Sequence, residues 1–175
     1  GKVDRLCSDP RQDIHPRVNH DGSVITWSRF STLDPNDKEG NFDVVVWKDG
    51  QEQTIAGSRA NESDPVVSPD GSKIVWASDV DGAGFRSMVQ CWEKGAVRDI
   101  SVEGADFPVF AGNDSVIWRA GGELVRWDGQ AQAITSGPGL EVKPAGTSDG
   151  RSVFYQMADE AGDDDLFRLD LASGQ

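Results

Sequence analysis

The sequence predicts an all-β protein, a β-propeller of four blades, each a four-stranded antiparallel sheet. Three observations carry this. A short unit ending in an aromatic recurs four times: Asp21-Gly22 leads to Trp27, Asp70-Gly71 to Trp76, Gly112-Asn113 to Trp118, and Asp149-Gly150 to Tyr155. A second aromatic position, Trp47, Trp92 and Trp127, lies two or three residues before a glycine, with Leu169 in its place in the fourth copy. These two positions hold all six tryptophans. Finally, Pro16, Pro65, Pro108 and Pro144 precede the first aromatic of each copy by 11, 11, 10 and 11 residues. Self-similarity at a period of about 35–50 residues marks repeated supersecondary units, and four short strands per unit is the composition of a propeller blade.

The second copy shows the elements most clearly. Proline cannot donate to a ladder, so Pro65 is expected at a strand start or an edge, with a short first strand over Val66–Ser68. Pro69-Asp70-Gly71 is a turn signal, and Lys73–Ser78 reads as the second strand. A variable loop follows, then a third strand over Ser87–Trp92, a turn at Lys94-Gly95 and a fourth strand around Val97–Val102. In the second strands both faces are apolar or neutral: Ile25 and Trp27 share one face while Val24 and Thr26 share the other. A sheet sandwiched between two neighbours needs this, whereas a lone hairpin would show one wet side. The tryptophans Trp27, Trp76 and Trp118 are therefore expected between blades.

The repeat divides the chain into units of about 10–57, 58–103, 104–137 and 138–175, the last completed by residues 1–9. Leu6 lies 10 residues before Pro16, matching the interval from Ile55 to Pro65, so Val3–Cys7 reads as a fourth strand without its first three. The chain stops after a third strand over Leu166–Leu171. The expectation is that Val3–Cys7 pairs with that strand and closes a ring of four blades, removing exposed edges. A piece of a larger propeller, or two chains forming one eight-bladed ring, would show the same phase.

At 175 residues the chain holds one sizeable core and no second domain beside the repeat. No apolar stretch approaches the roughly 18–20 residues of a membrane helix, and residues 1–10 lack the apolar segment of a signal peptide. The formal net charge of −13 argues against nucleic acid and anionic membrane surfaces as partners. The acids gather in the loops joining second to third strands and fourth to first strands, which share one propeller face. Asp9, Asp13, Glu62, Asp64, Glu103 and Asp106 belong to this set. Asp37, Asp43, Asp79, Asp81, Asp163 and Asp165 are the carboxylates singled out as binding candidates. A strongly negative face suits a basic protein or peptide segment or a divalent cation.

Calcium takes six to eight oxygens, and the loops around Asp34–Asp43, Asp79–Gly84 and Asp159–Asp165 are dense in them, although none has the EF-hand spacing. Turns rich in Asp and Gly are the commoner reason for such loops. Catalytic motifs are absent: there is no G-x-S-x-G, H-E-x-x-H, Walker loop or dinucleotide fingerprint. His15 precedes Pro16 in the slot filled by Asp64, Phe107 and Lys143 in the other copies, and reads as a loop residue. His20 is placed in the turn slot of Ser68. No cysteine stands near either histidine at zinc-like spacing. Cys7 and Cys91 fall on opposite blades, so no disulfide is expected.

The stretches His15-Pro16 to Trp27 and Asp64-Pro65 to Asp79, with a Ser68-Pro69-Asp70-Gly71 turn and an aromatic-containing strand, resemble the repeats of TolB-like β-propellers over essentially the whole chain. The resemblance implies a bacterial, exported protein, periplasmic or extracellular, in a family whose members bind proteins or gate peptidases. It implies a non-catalytic binding module that engages a protein, peptide or glycan on the acidic loop face, without a cofactor other than calcium. The alternative is a cation-dependent hydrolase or lyase working at the channel mouth, which would need Asp, Glu, Asn or His converging on one metal at the axis.

Overall fold

The computed structural model describes residues 2–32, 40–79, 86–136, 141–158 and 163–174. Among them four antiparallel sheets follow one another in chain order, each strand pairing with its sequence neighbours. The first sheet comprises β1 (Asp13–Val18), β2 (Val24–Ser31), β3 (Asn41–Lys48) and β4 (Gln51–Ala56); the second comprises β5 (Asn61–Val67), β6 (Lys73–Asp79), β7 (Ser87–Glu93) and β8 (Ala96–Asp99). The third holds β9 (Ala105–Ala111), β10 (Ser115–Ala120), β11 (Glu123–Trp127) and β12 (Ala131–Ala133), and the fourth β13 (Glu141–Gly146), β14 (Ser152–Ala158) and β15 (Asp164–Asp170).

Apolar contacts between successive sheets explain why the second strands are apolar on both faces. Val24, Val44 and Val46 of the first sheet pack on Val67, Ile74 and Trp76 of the second. Val75, Val89 and Cys91 on the opposite face of the second sheet pack on Phe110, Val116 and Trp118 of the third. Ala111, Ile117 and Leu124 then meet Val153 and Leu169 of the fourth. Each sheet thus turns its aromatic face towards the preceding sheet. Trp76 and Trp118 are 0% and 2% exposed, as inter-blade packing requires. A fully buried side chain of this kind contributes roughly 1.5–3 kcal/mol or more from the apolar area it withdraws from water.

Trp27 departs from the expectation. It is buried, but it alternates with Val24, Thr26 and Ser28 and so lies on the face turned away from the second sheet. Its indole donates to Asp13 Oδ1 at 2.9 Å, and the Arg29 guanidinium lies 5.4 Å from its ring centroid. The N-terminal segment accounts for this burial. Cys7 Sγ donates to Asp13 Oδ2, Asp9 pairs with Arg11 and Arg29, and the Gln12 carbonyl accepts the Phe30 amide.

That arrangement also corrects the expected ring closure. Residues 3–7 form no strand, and β15 pairs only with β14. The fourth sheet is three-stranded among the described residues, and no junction like the other three joins it to the first. Cys7 and Asp9 contact Asp13 and Arg29 of the first sheet, while Val3 and Leu6 are exposed.

The turns follow one plan. Asp21, Asp70 and Asp149 each accept, through Oδ1, the amide two residues on, from Ser23, Ser72 and Arg151. Asn19, Ser68 and Thr147 each accept, through a side-chain oxygen, the amide five residues on. Asn19, not His20, therefore fills the slot of Ser68, and His20 stands beside Pro69, whose carbonyl accepts the His20 amide at 3.1 Å. Both cysteines are free, Cys7 half-buried and Cys91 buried.

Candidate functional site

The four prolines lie inside the first strand of each sheet, not at its start. In all four, the residue before proline has a left-handed backbone: His15 at φ 52°, Asp64 at 51°, Phe107 at 50° and Lys143 at 50°. The ladder slips at the same place, between Ile14 and Arg17, Ser63 and Val66, and Val142 and Ala145, with the matching irregularity in β9 opposite Ile117 and Arg119. This is a β-bulge. It leaves the proline without a ladder bond to donate, which removes the objection to proline inside a strand. Left-handed non-glycine residues cost of order 1–2 kcal/mol each and persist where the surroundings hold them.

The backbone is thus the same at four places while the side chains differ: an imidazole, a carboxylate, a phenyl ring and an ammonium. His15 Nδ1 and Asp64 Oδ1 lie 3.3 Å apart, so bulges of adjacent blades face one another. The Arg119 guanidinium lies 5.1 Å from the centroid of the Phe107 ring and is paired with Asp106. The same first strands line a groove of ≈ 450 Å³ along the axis. Val66, Val67, Val109, Phe110 and Pro144 give it an apolar wall, and Arg17, Asn19 and His20 a polar one. This groove draws on all four sheets. The sequence contained the signal, four unlike residues in one pre-proline slot, but it was read as a loop because a bulge inside a strand leaves no compositional mark.

The acidic candidates among the described residues do not converge. Asp37 and Asp81 lie outside the described residues. Asp79 is half-buried at the end of β6, while Asp163 and Asp165 are exposed at the start of the last strand, two blades away. Asp43 is not a loop residue. It sits within β3, 8% exposed, where burial raises its carboxyl above the usual range against the opposing effect of Ser31. No group of three or more His, Cys, Asp or Glu side chains able to hold a metal occurs among the described residues.

Much of the remaining acid is neutralised locally. Asp9 is bonded to Arg11, which lowers its carboxyl, and Glu103 is bonded to Arg86, which does the same. Asp106 pairs with Arg119, and Asp13 and Glu52 share Arg29. The guanidinium of Arg29 is raised above its ordinary value by hydrogen bonds to Asp13 and then Glu52. Glu62, counted with the loop acids from the sequence, is 2% exposed. Position in the repeat could not tell a rim carboxylate from a buried one, because the arginines that pair with them come from other strands.

No family model matches the chain, and no curated protein matches it. Solved structures do. TolB from Acinetobacter baumannii aligns with 97% of this chain at 14% identity and a TM-score of 0.69, and the chain spans 44% of that protein. A TolB from Agrobacterium tumefaciens aligns at 10% identity and a TM-score of 0.65, over 97% of this chain and 81% of that one. An oligogalacturonate lyase in complex with manganese aligns at 11% identity and a TM-score of 0.72, over 97% of this chain and 53% of the lyase. These likenesses show the fold: the chain is a TolB-like β-propeller in architecture.

Proposed function

We propose that this TolB-like propeller is a non-catalytic binding module that docks a segment of a protein or peptide across the mouth of the axial groove. The observation that carries this reading is the set of four bulges. One backbone conformation recurs at His15, Asp64, Phe107 and Lys143, four different recognition chemistries, and the first two lie 3.3 Å apart. Successive packed blades holding unlike side chains at equivalent positions suit selective recognition. The apolar wall at Phe110 and Val66 takes an apolar side chain of the ligand. The acidic balance of the chain favours basic flanking residues, met by exposed carboxylates such as Asp163 and Asp165. Such a ligand associates faster at low ionic strength. By its resemblance the protein works in the periplasm or outside the cell.

The experiment is selection of peptides from a random display library on the full chain. Binding of the selected peptides is then measured to wild type and to a variant carrying His15→Ala, Asp64→Ala, Phe107→Ala and Lys143→Ala. Loss of binding with an unchanged circular dichroism spectrum supports the reading. Equal binding to both proteins rejects it.

A further inference from the structure

The two end faces of the stack of blades differ from the faces inside it. Strand register gives the equivalent positions. Phe154 precedes the Tyr155–Phe167 pair on β14 as Ile117 precedes Trp118–Val125, Val75 precedes Trp76–Gln90 and Thr26 precedes Trp27–Val45. By the same register Leu166 of β15 corresponds to Leu124, Val89 and Val44. All six of these equivalents are 0% exposed, on faces that the following blade covers. On the last blade Phe154 is exposed, Leu166 is 77% exposed, and Ala145, the cross-strand partner of Phe154, is exposed as well.

The first blade carries the converse face. Val18 pairs with Ile25 as Val67 pairs with Ile74 and Phe110 with Val116. Val67 and Phe110 are buried where they meet the preceding blade, whereas Val18 is 58% exposed. Ile25 and its partner Trp47 are half-buried beside it, although Trp27 on the same face is covered by the N-terminal segment. Exposed apolar side chains gathered on one sheet face mark an interaction surface. We propose that the open face of the last blade seats on the open face of the first blade in a second copy of this chain. The occupant follows from continuity. The chain builds this junction three times from the same register positions, and its two unfilled halves stand at the ends of one molecule, where no junction of that kind joins them. A polar contact is available too. Arg168 is exposed at the position of Arg126, whose guanidinium crosses the third junction to the Leu171 carbonyl. Leu171 follows Leu169 as Asp49 follows Trp47, so Arg168 meets Asp49 of the second copy.

The test is light scattering behind size exclusion on the full chain over a range of concentrations. High ionic strength screens the formal charge of −13 on each copy. The expected mass is two chains or more, because head-to-tail contacts close into a ring when the rotation permits and extend when it does not. Leu166→Asp and, separately, Val18→Asp are expected to give monomers. Both side chains are exposed in the single chain, so each variant keeps its fold, as circular dichroism checks. Mixing the two variants is expected to restore a complex of two chains, since each supplies the face that the other has lost. A wild type that stays monomeric at every concentration assigns the two faces to another occupant and overturns the proposal. So does a mixture that stays monomeric, or association abolished by Leu166→Asp and untouched by Val18→Asp, the pattern of two like faces. Leu166 does not line the axial groove, so peptide binding is read on Leu166→Asp and the two readings fail separately.

Discussion

His15 of the first blade and Asp64 of the second, each the residue before a proline, lie with Nδ1 and Oδ1 3.3 Å apart. His15 is exposed and Asp64 half-buried, and a polar contact so placed adds little to stability. Its meaning is geometric: equal bulges in the first two blades bring two unlike side chains within contact.

The bulge makes a prediction about backbone strain. Lys143 sits at φ 50°, where glycine is at ease and a β-branched residue is an outlier. Lys143→Gly should leave stability within about 1 kcal/mol of wild type, since relief of left-handed strain offsets the added freedom of the unfolded chain. Lys143→Val should be less stable than Lys143→Gly by about 1 kcal/mol or more. Urea unfolding of the pair decides it, and equal midpoints would mean the left-handed conformation is not maintained.

The two kinds of tryptophan should separate on truncation. Trp76 is wholly buried between blades and donates to Gln90 Oε1 at 3.0 Å, so Trp76→Ala should cost about 3–5 kcal/mol. Trp27 packs under the N-terminal segment, and deleting residues 1–9 should expose it. Red-shifted tryptophan emission with unchanged far-ultraviolet circular dichroism is the expected result of the deletion. Loss of sheet signal would instead mean that the segment is part of the blade framework.

Arg29 is the hinge of the outer face of the first blade. Its side chain is 2% exposed and bonded to Asp13 and Glu52, which keep 27% and 34% of their side-chain surface in water. Arg29→Met should cost about 2–3 kcal/mol, below the full cost of breaking a wholly buried pair, because the two carboxylates can recover some hydration. Arg29→Lys should not restore it, since one ammonium cannot serve two carboxylates with paired donors. Equilibrium unfolding of the three proteins provides the comparison.

Glu62 predicts a pH dependence of stability. Its folded value of about 7 lies above its ordinary 4.5, chiefly through burial. A raised carboxyl binds its proton more tightly in the folded state, so its contribution is complete below the ordinary value and is lost as pH rises towards 7. Stability should therefore fall across that interval in wild type, relative to Glu62→Gln. Parallel pH profiles for the two proteins would show that Glu62 titrates normally.

The sequence by itself determined the blades. Proline phase, Asp-Gly turns and apolar second strands act locally, through backbone conformation and strand alternation. They placed β2, β6, β10 and β14 and the burial of Trp76 and Trp118. What it could not determine depends on partners distant in the chain. Val3–Cys7 has the spacing of a fourth strand, yet it forms none, and Cys7 bonds to Asp13 of the first blade. Asp43 and Glu62 resemble the rim carboxylates by position, yet each is buried once the strands pack. The four pre-proline residues are visible as a slot, but the bulge that each occupies, and the contact of His15 with Asp64, belong to the assembled sheets. Local rules fix each strand. Which charges are neutralised, and which are left facing one another, is settled when the blades pack, because electrostatic energy depends on distance and burial, not on sequence spacing.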